Sequence, residues 1–249
     1  MGNNLQEKFD KALKIFVDKH KKNPNVLAVL VSGSYIHSTP DKNSDLDVYV
    51  LLEKAKMRER GNTWINGVEI EYFINPVNQV RYYFKTETGN KAPCTAHMFA
   101  NSKILYQKDK TVNQLVKEAK VILKKKMPAM KKMDLEFARY SIDDTQKDLE
   151  DVYLKKDIFA FSLIANNLLQ ECLELFFKIH RISKEKSKRL QEHLKSIDKN
   201  FEKLYTSALI EKDIDKQYKN INTLVNYTEK LIGGKRPKEW ILRSECTAK

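Results

Sequence analysis

Apolar residues along this chain follow two rhythms, and the change between them divides the sequence. Leu5, Phe9, Ala12, Leu13, Phe16 and Val17 recur at three- and four-residue intervals, the spacing of one helical face, and predict a helix over Leu5–His20. Asn23-Pro24-Asn25 stops it. Val26–Ser32 and Leu46–Leu52 are short, nearly continuous apolar runs bounded by turn residues, the signature of buried strands. Trp64-Ile65 and Val68–Ile74 straddle Asn66-Gly67, a pair that readily adopts the left-handed backbone of a two-residue hairpin turn. A helix over Val77–Lys85, opened by Asn75-Pro76, and a further short strand around His97–Tyr106, reached through a loop, complete this part.

From about residue 110 only the helical rhythm remains. Helices are expected over Thr111–Lys126 and Asp134–Leu154, separated by Met127-Pro128. Ile158–His180 is apolar nearly all round, as expected of a central bundle helix, with Asn166 and Asn167 read as hydrogen-bonded core groups. Leu190, Leu194, Ile197, Phe201 and Leu204 form one stripe, and Ile214 to Thr228 another that ends at a Gly233-Gly234 cap. The expectation is an α+β chain: a small mixed-sheet domain over 1–108, then an all-α helical bundle with a C-terminal tail over 109–249. The lysine-rich stretch Lys124–Lys132 is a second candidate hinge.

Composition narrows the function classes. The 249 residues are 41% apolar, enough for a real core, and only 7 Gly and 6 Pro argue against low-complexity disorder. Lys and Arg number 46 against 33 Asp and Glu, a formal net charge of +13, with the helical half the more basic. Such an excess favours anionic partners such as nucleotides, and leaves nucleic acid a possible one. Cys94, Cys172 and Cys246 are far apart and form no metal-binding or disulfide pattern, which fits a reducing, cytoplasmic setting. No run approaches the roughly 18 apolar residues of a membrane span, so no membrane partner is expected.

The chemistry lies in Val29–Glu53, which reads VLVSGSYIHSTPDKNSDLDVYVLLE. Aspartate is a poor strand former, yet Asp45 and Asp47 stand where a strand begins. Residues i and i+2 of a strand share a face, so the two carboxylates lie side by side and repel unless something positive sits between them. Oxygen ligands packed in this way suit a hard divalent cation such as Mg²⁺, bound together with substrate phosphates. The strand after the hairpin offers a third acid, Glu69 or Glu71, both on one face. Gly33-Ser34 follows the first strand: the glycine lets the backbone approach a ligand closely, and the serine hydroxyl and nearby N–H groups suit phosphate oxygens.

An apolar strand ending in Gly-Ser, about ten residues, then Asp-x-Asp between apolar residues resembles the nucleotidyltransferase superfamily typified by DNA polymerase β, kanamycin and lincosamide nucleotidyltransferases and CCA-adding enzymes. Ser44 stands before the first aspartate, as is usual in that family. The resemblance in fold extends over about the first 105 residues. It implies that Asp45, Asp47 and Glu71, the last preferred over Glu69, are catalytic metal ligands for two Mg²⁺ ions. It further implies that Gly33, Ser34 and Ser44 bind the nucleotide, and that the substrate is an NTP, with ATP the expected one. A helical domain behind such a module resembles the two-domain resistance enzymes, so the implied reaction is transfer of a nucleoside monophosphate to a hydroxyl of a small-molecule acceptor with release of pyrophosphate. The helical half is then the source of acceptor contacts. The alternatives are transfer to RNA or protein, as in antitoxin-like relatives, and non-catalytic nucleotide binding; the presence of all three acids argues against the last. Acceptor identity and oligomeric state are not legible.

Overall fold

Val26–Ser32 forms β1, and every one of its residues is buried, because helices cover both faces of the sheet it belongs to. The computed structural model describes residues 2–87, 93–241 and 243, and divides into two compact units, Met1–Lys126 and Met127–Lys249. In the first unit, α1 (Gly2–His20) precedes β1, and a 3₁₀ turn (Ser34–Ile36) leads towards β2 (Leu46–Leu52). Then follow β3 (Glu59–Ile65), β4 (Val68–Pro76), α2 (Val77–Thr86), α3 (Cys94–Ala100), β5 (Lys103–Gln107) and α4 (Thr111–Leu123). The five strands lie in the order β3-β4-β2-β1-β5. β2 runs antiparallel to β1 and parallel to β4, so the sheet is mixed. The β3–β4 hairpin turns on Asn66 (φ 51°) and Gly67 (φ 68°), both left-handed as a two-residue turn of this twist requires.

Strand alternation sorts the apolar side chains into two cores. Val29, Val31, Val48, Val50 and Ile70 pack under α1 with Phe9, Leu13 and Phe16. Ala28, Leu30, Tyr49 and Leu51 face the other way, onto Val80 and Phe84 of α2, Phe99 of α3 and Val112, Leu115 and Ala119 of α4. Each large side chain buried in this way contributes on the order of 1.5–3 kcal/mol relative to exposure. The packing of α4 also moves the boundary. Thr111–Leu123, expected with the helical half, is part of the first unit because its apolar stripe completes the second core. The division falls instead within Lys124–Lys132.

The expected strand around His97–Tyr106 is corrected in part: Cys94–Ala100 is helix, and the strand begins only at Lys103. Tertiary contacts override the local pattern there. Thr95 donates its N–H and hydroxyl to the Glu87 carboxylate at 2.7 and 2.8 Å, and Ala96 and Phe99 are buried.

The second unit is helical throughout its described elements: α5 (Lys132–Leu154), α6 (Ile158–His180), α7 (Ser187–Ile197), α8 (Lys199–Ile210) and α9 (Ile214–Leu231). Its core gathers Ile142 and Leu149 of α5, Leu168, Leu173 and Phe176 of α6, Phe201 of α8 and Leu224 and Val225 of α9. Here α6 buries one side only. Leu163 is exposed, and so are Asn166 and Asn167, which are surface residues rather than core groups. The stripe from Leu190 to Leu204 spans two helices, broken at Asp198, whose carboxylate accepts from the N–H of Asn200 and Phe201 at 2.8 and 3.0 Å and so starts α8. Gly233 and Gly234 do terminate α9: Gly234 N–H bonds Glu229 C=O and Gly233 N–H bonds Lys230 C=O, the paired pattern of a glycine-ended helix. The following segment lies on α5, with Trp240 stacked on Tyr140 (ring centroids 5.2 Å apart) and donating to Glu136. Among the described residues neither Cys94 nor Cys172 is in a disulfide, and Cys246 lies outside the described residues. Among the described residues no helix is long and apolar enough to cross a membrane.

Candidate active site

The site is built where β1 ends and β2 begins. β1 and β2 pair with Ser32 opposite Asp47, so Gly33 leaves the sheet beside that aspartate. Gly33 has φ 79° and ψ −159°, a backbone region open essentially to glycine alone. There is also no room for a side chain: a Cβ on Gly33 would collide with Asp47 Oδ2 and lie 3.1 Å from its Cγ. The glycine thus allows the chain to turn away from β1 without displacing the Asp47 carboxylate. Ser34 opens the 3₁₀ turn, and its carbonyl accepts from the N–H of His37 and Ser38 and from the Ser38 hydroxyl.

Parallel pairing brings in the third acid. Asp47 of β2 and Glu71 of β4 are register partners, and partners in adjacent strands project to the same face. Asp45, just before β2, stands on that face as well. Ligand-capable oxygens of Asp45, Asp47 and Glu71 all lie within 4.8 Å of one another. Asp45 is exposed and the other two are half-buried, so the cluster is open to solvent. Glu69 is used differently: its carboxylate accepts from Asn62 Nδ2 at 2.8 Å. Of the two acids that the hairpin offered, Glu71 is the one brought to the aspartates.

Ser44 closes a turn. Its hydroxyl accepts from Asp41 N–H at 2.8 Å and donates to the Asp41 carboxylate at 3.2 Å, while Asn43 N–H also bonds that carboxylate. Ser44 therefore fixes the loop that delivers Asp45, and its hydroxyl is committed to that turn. Gly33, Asp45, Asp47 and Glu71 are brought together; Ser44 stands one step back.

One residue of the site was not among the sequence expectations. Arg60 of β3 donates from Nε and Nη2 to the same oxygen, Glu71 Oε1, at 3.0 and 2.7 Å. Its guanidinium lies over the Phe73 ring, 5.0 Å from the centroid. The Glu71 carboxylate, through this hydrogen bond and its charge, raises the Arg60 pKa, and Asp47 adds a weaker pull. The signal was available in the hairpin. A two-residue turn at Asn66-Gly67 places Asn62 opposite Glu71 and Arg60 opposite Phe73, on the same face. The strand had been read only from Trp64 onwards, two residues short of Asn62.

The donor set fits a hard divalent cation. It is all oxygen, carries three formal negative charges, and faces water from which an ion and a triphosphate can enter. Arg60 engages only one oxygen of Glu71 and leaves the other to a ligand.

Comparison with known proteins agrees with this geometry. Residues 16–111 match the family described as polymerase beta, nucleotidyltransferase. No curated protein sequence matches. A solved structure similar to this chain is that of a nucleotidyltransferase-like protein from Exiguobacterium sibiricum, at 9% identity and a TM-score of 0.48, with 90% of this chain and 77% of that one covered. The family match spans β1 to β5 and includes the glycine turn and all three acids. Residues 16–111 are accordingly a nucleotidyltransferase domain of the polymerase β type.

Proposed function

We propose that the chain transfers a nucleoside monophosphate from an NTP, with ATP the favoured donor, to a hydroxyl of a small-molecule acceptor. The observation that carries this reading is the trio of carboxylates, Asp45, Asp47 and Glu71, gathered within 4.8 Å beside Gly33. These acids are the residues that would hold two Mg²⁺ ions. Bound there, the ions supply neutralisation of triphosphate charge and acidification of the acceptor hydroxyl. The chain's own contributions are placement and charge. Gly33 lets the backbone come close to the departing phosphates, and the Ser34 hydroxyl is a donor for them. Glu71 completes the metal set or takes the hydroxyl proton as the new oxygen–phosphorus bond forms. Attack at the α-phosphorus forms that bond and breaks the one to the leaving pyrophosphate.

The test is incubation with each NTP and Mg²⁺ against a panel of hydroxyl-bearing acceptors, following pyrophosphate release. Asp45→Asn should leave the fold intact, since Asp45 is exposed, and lower the rate by at least about 10²-fold, the scale of losing one preorganised charged group. Full activity of that variant with Mg²⁺ would defeat the assignment.

The net charge of +13 favours a second reading, transfer to RNA. Titration of labelled tRNA at increasing salt separates the two, because phosphate-dominated binding collapses as salt rises. Binding that is absent at low salt excludes the RNA acceptor.

A further inference from the structure

We propose that Arg60 is a positioning residue that holds Glu71 in place and competes with a divalent cation for it, so that the metal affinity of the site is set from β3. The proposal rests on the reading of Asp45, Asp47 and Glu71 as metal ligands. Three carboxylates within 4.8 Å repel one another, and the folded chain needs a positive charge among them before any ion arrives. Arg60 supplies it. Both of its donors converge on Glu71 Oε1, which aims that carboxylate while leaving the second oxygen to a ligand.

Two further observations make Arg60 a competitor as well as a brace. Its side chain is 72% exposed against 31% for Glu71, and an ion pair so open to water is a weak one that separates readily. In the same pose the guanidinium lies over the Phe73 ring, a contact it can keep on the same face of the sheet when it yields Glu71. A dication entering the trio meets this positive charge at close range. Repulsion between a unit charge and a double charge is twice that between unit charges, whereas the aim given to Glu71 is worth only an exposed pair. Repulsion therefore wins, and the site binds metal less tightly than its three acids alone would.

The experiment is a titration of the full-length protein with Mn²⁺ alone, without nucleotide, reading free Mn²⁺ by electron paramagnetic resonance. Arg60→Met keeps the stem over Phe73 and removes the charge. It should bind Mn²⁺ about five- to tenfold more tightly than the wild type, with the difference shrinking as salt screens it. Arg60→Lys, which keeps the charge, should stay near the wild type. In a Glu71→Gln background the effect of Arg60→Met should shrink, since no carboxylate then holds the Arg60 charge beside the ion. Circular dichroism confirms that each variant is folded. Unchanged or weaker binding by Arg60→Met overturns the proposal, and so does an equal gain in the Glu71→Gln background, which would be a bulk charge effect. If the wild type binds no Mn²⁺ and Asp45→Asn changes nothing, the reading of the acids as metal ligands has failed, and the proposal falls with it.

Discussion

Acidic residues are placed differently in the two units. In the second unit several stand next to cations or in caps: Glu136 pairs with Arg139 at 3.0 Å, and Asp143 pairs with both Lys147 and Arg236. Even Glu229, which burial pushes towards its protonated form, has Lys235 at 3.7 Å to offset that. In the first unit Asp45, Asp47 and Glu71 crowd together, with the Arg60 guanidinium on one oxygen of one of them. An acid set apart from other acids beside a cation lowers the energy of the fold that contains it. A cluster of like charges raises it, and is understandable when a ligand of opposite charge belongs there. Helical packing in the second unit thus speaks of stability, and the strand ends of the first speak of chemistry.

That contrast can be broken by substitution. The largest stability effect is expected in the helical unit. Phe176 is fully buried and stacks on Phe201 with centroids 3.9 Å apart, so Phe176→Ala should cost about 3–5 kcal/mol. Thermal melting followed by far-ultraviolet circular dichroism measures it, and a loss below 1 kcal/mol would mean the core has been misjudged. Gly33→Ala is next. The positive φ costs about 1–3 kcal/mol for any residue with a Cβ. The new methyl also pushes on Asp47, so pyrophosphate release should fall much further than stability. Equal losses in the two measurements would remove the distinction between a site glycine and a turn glycine.

How much of this was legible follows from the same contrast. β1, β2 and the β3–β4 turn were readable because short apolar runs bounded by turn residues, and Asn66-Gly67, are local signals. Asp45 and Asp47 stood out because aspartate is out of place in an apolar run. Choosing Glu71 over Glu69 needed the parallel register of β2 with β4, which no local pattern encodes; family resemblance supplied that choice. Arg60 was missed because β3 is an edge strand of mixed polarity, without the alternation that marks a half-buried strand. Thr111–Leu123 was assigned to the wrong side of the boundary because a helical stripe reveals that a face is buried, not against what. The break at Asp198 was hidden for a related reason: Ile197 and Phe201 keep helical spacing across it.

That break yields the smallest and most finely graded prediction. Asp198 Oδ1 accepts the N–H groups of Asn200 and Phe201, and Oδ2 accepts the Tyr227 hydroxyl of α9 at 2.7 Å. Burial disfavours the charged carboxylate, but the three donors outweigh it and hold the group below the usual aspartate range. Asp198→Ala removes a helix cap and leaves Tyr227 without its acceptor, for a cost of about 0.5–2 kcal/mol at neutral pH. A folded-state pKa below that of the unfolded chain contributes stability that is fully present above the unfolded value, near about 3.9 for aspartate, and is lost as pH falls through the folded one. The gap between wild type and Asp198→Ala should therefore hold steady around pH 7 and narrow below about pH 4. Urea midpoints at the two pH values measure it, with the slopes compared so that a change in the unfolded state is not mistaken for the effect. Tyr227→Phe should show a smaller gap of the same pH dependence, since it removes one donor of the three. A gap that widens on acidification would show that Asp198 is held for its shape and not for its charge.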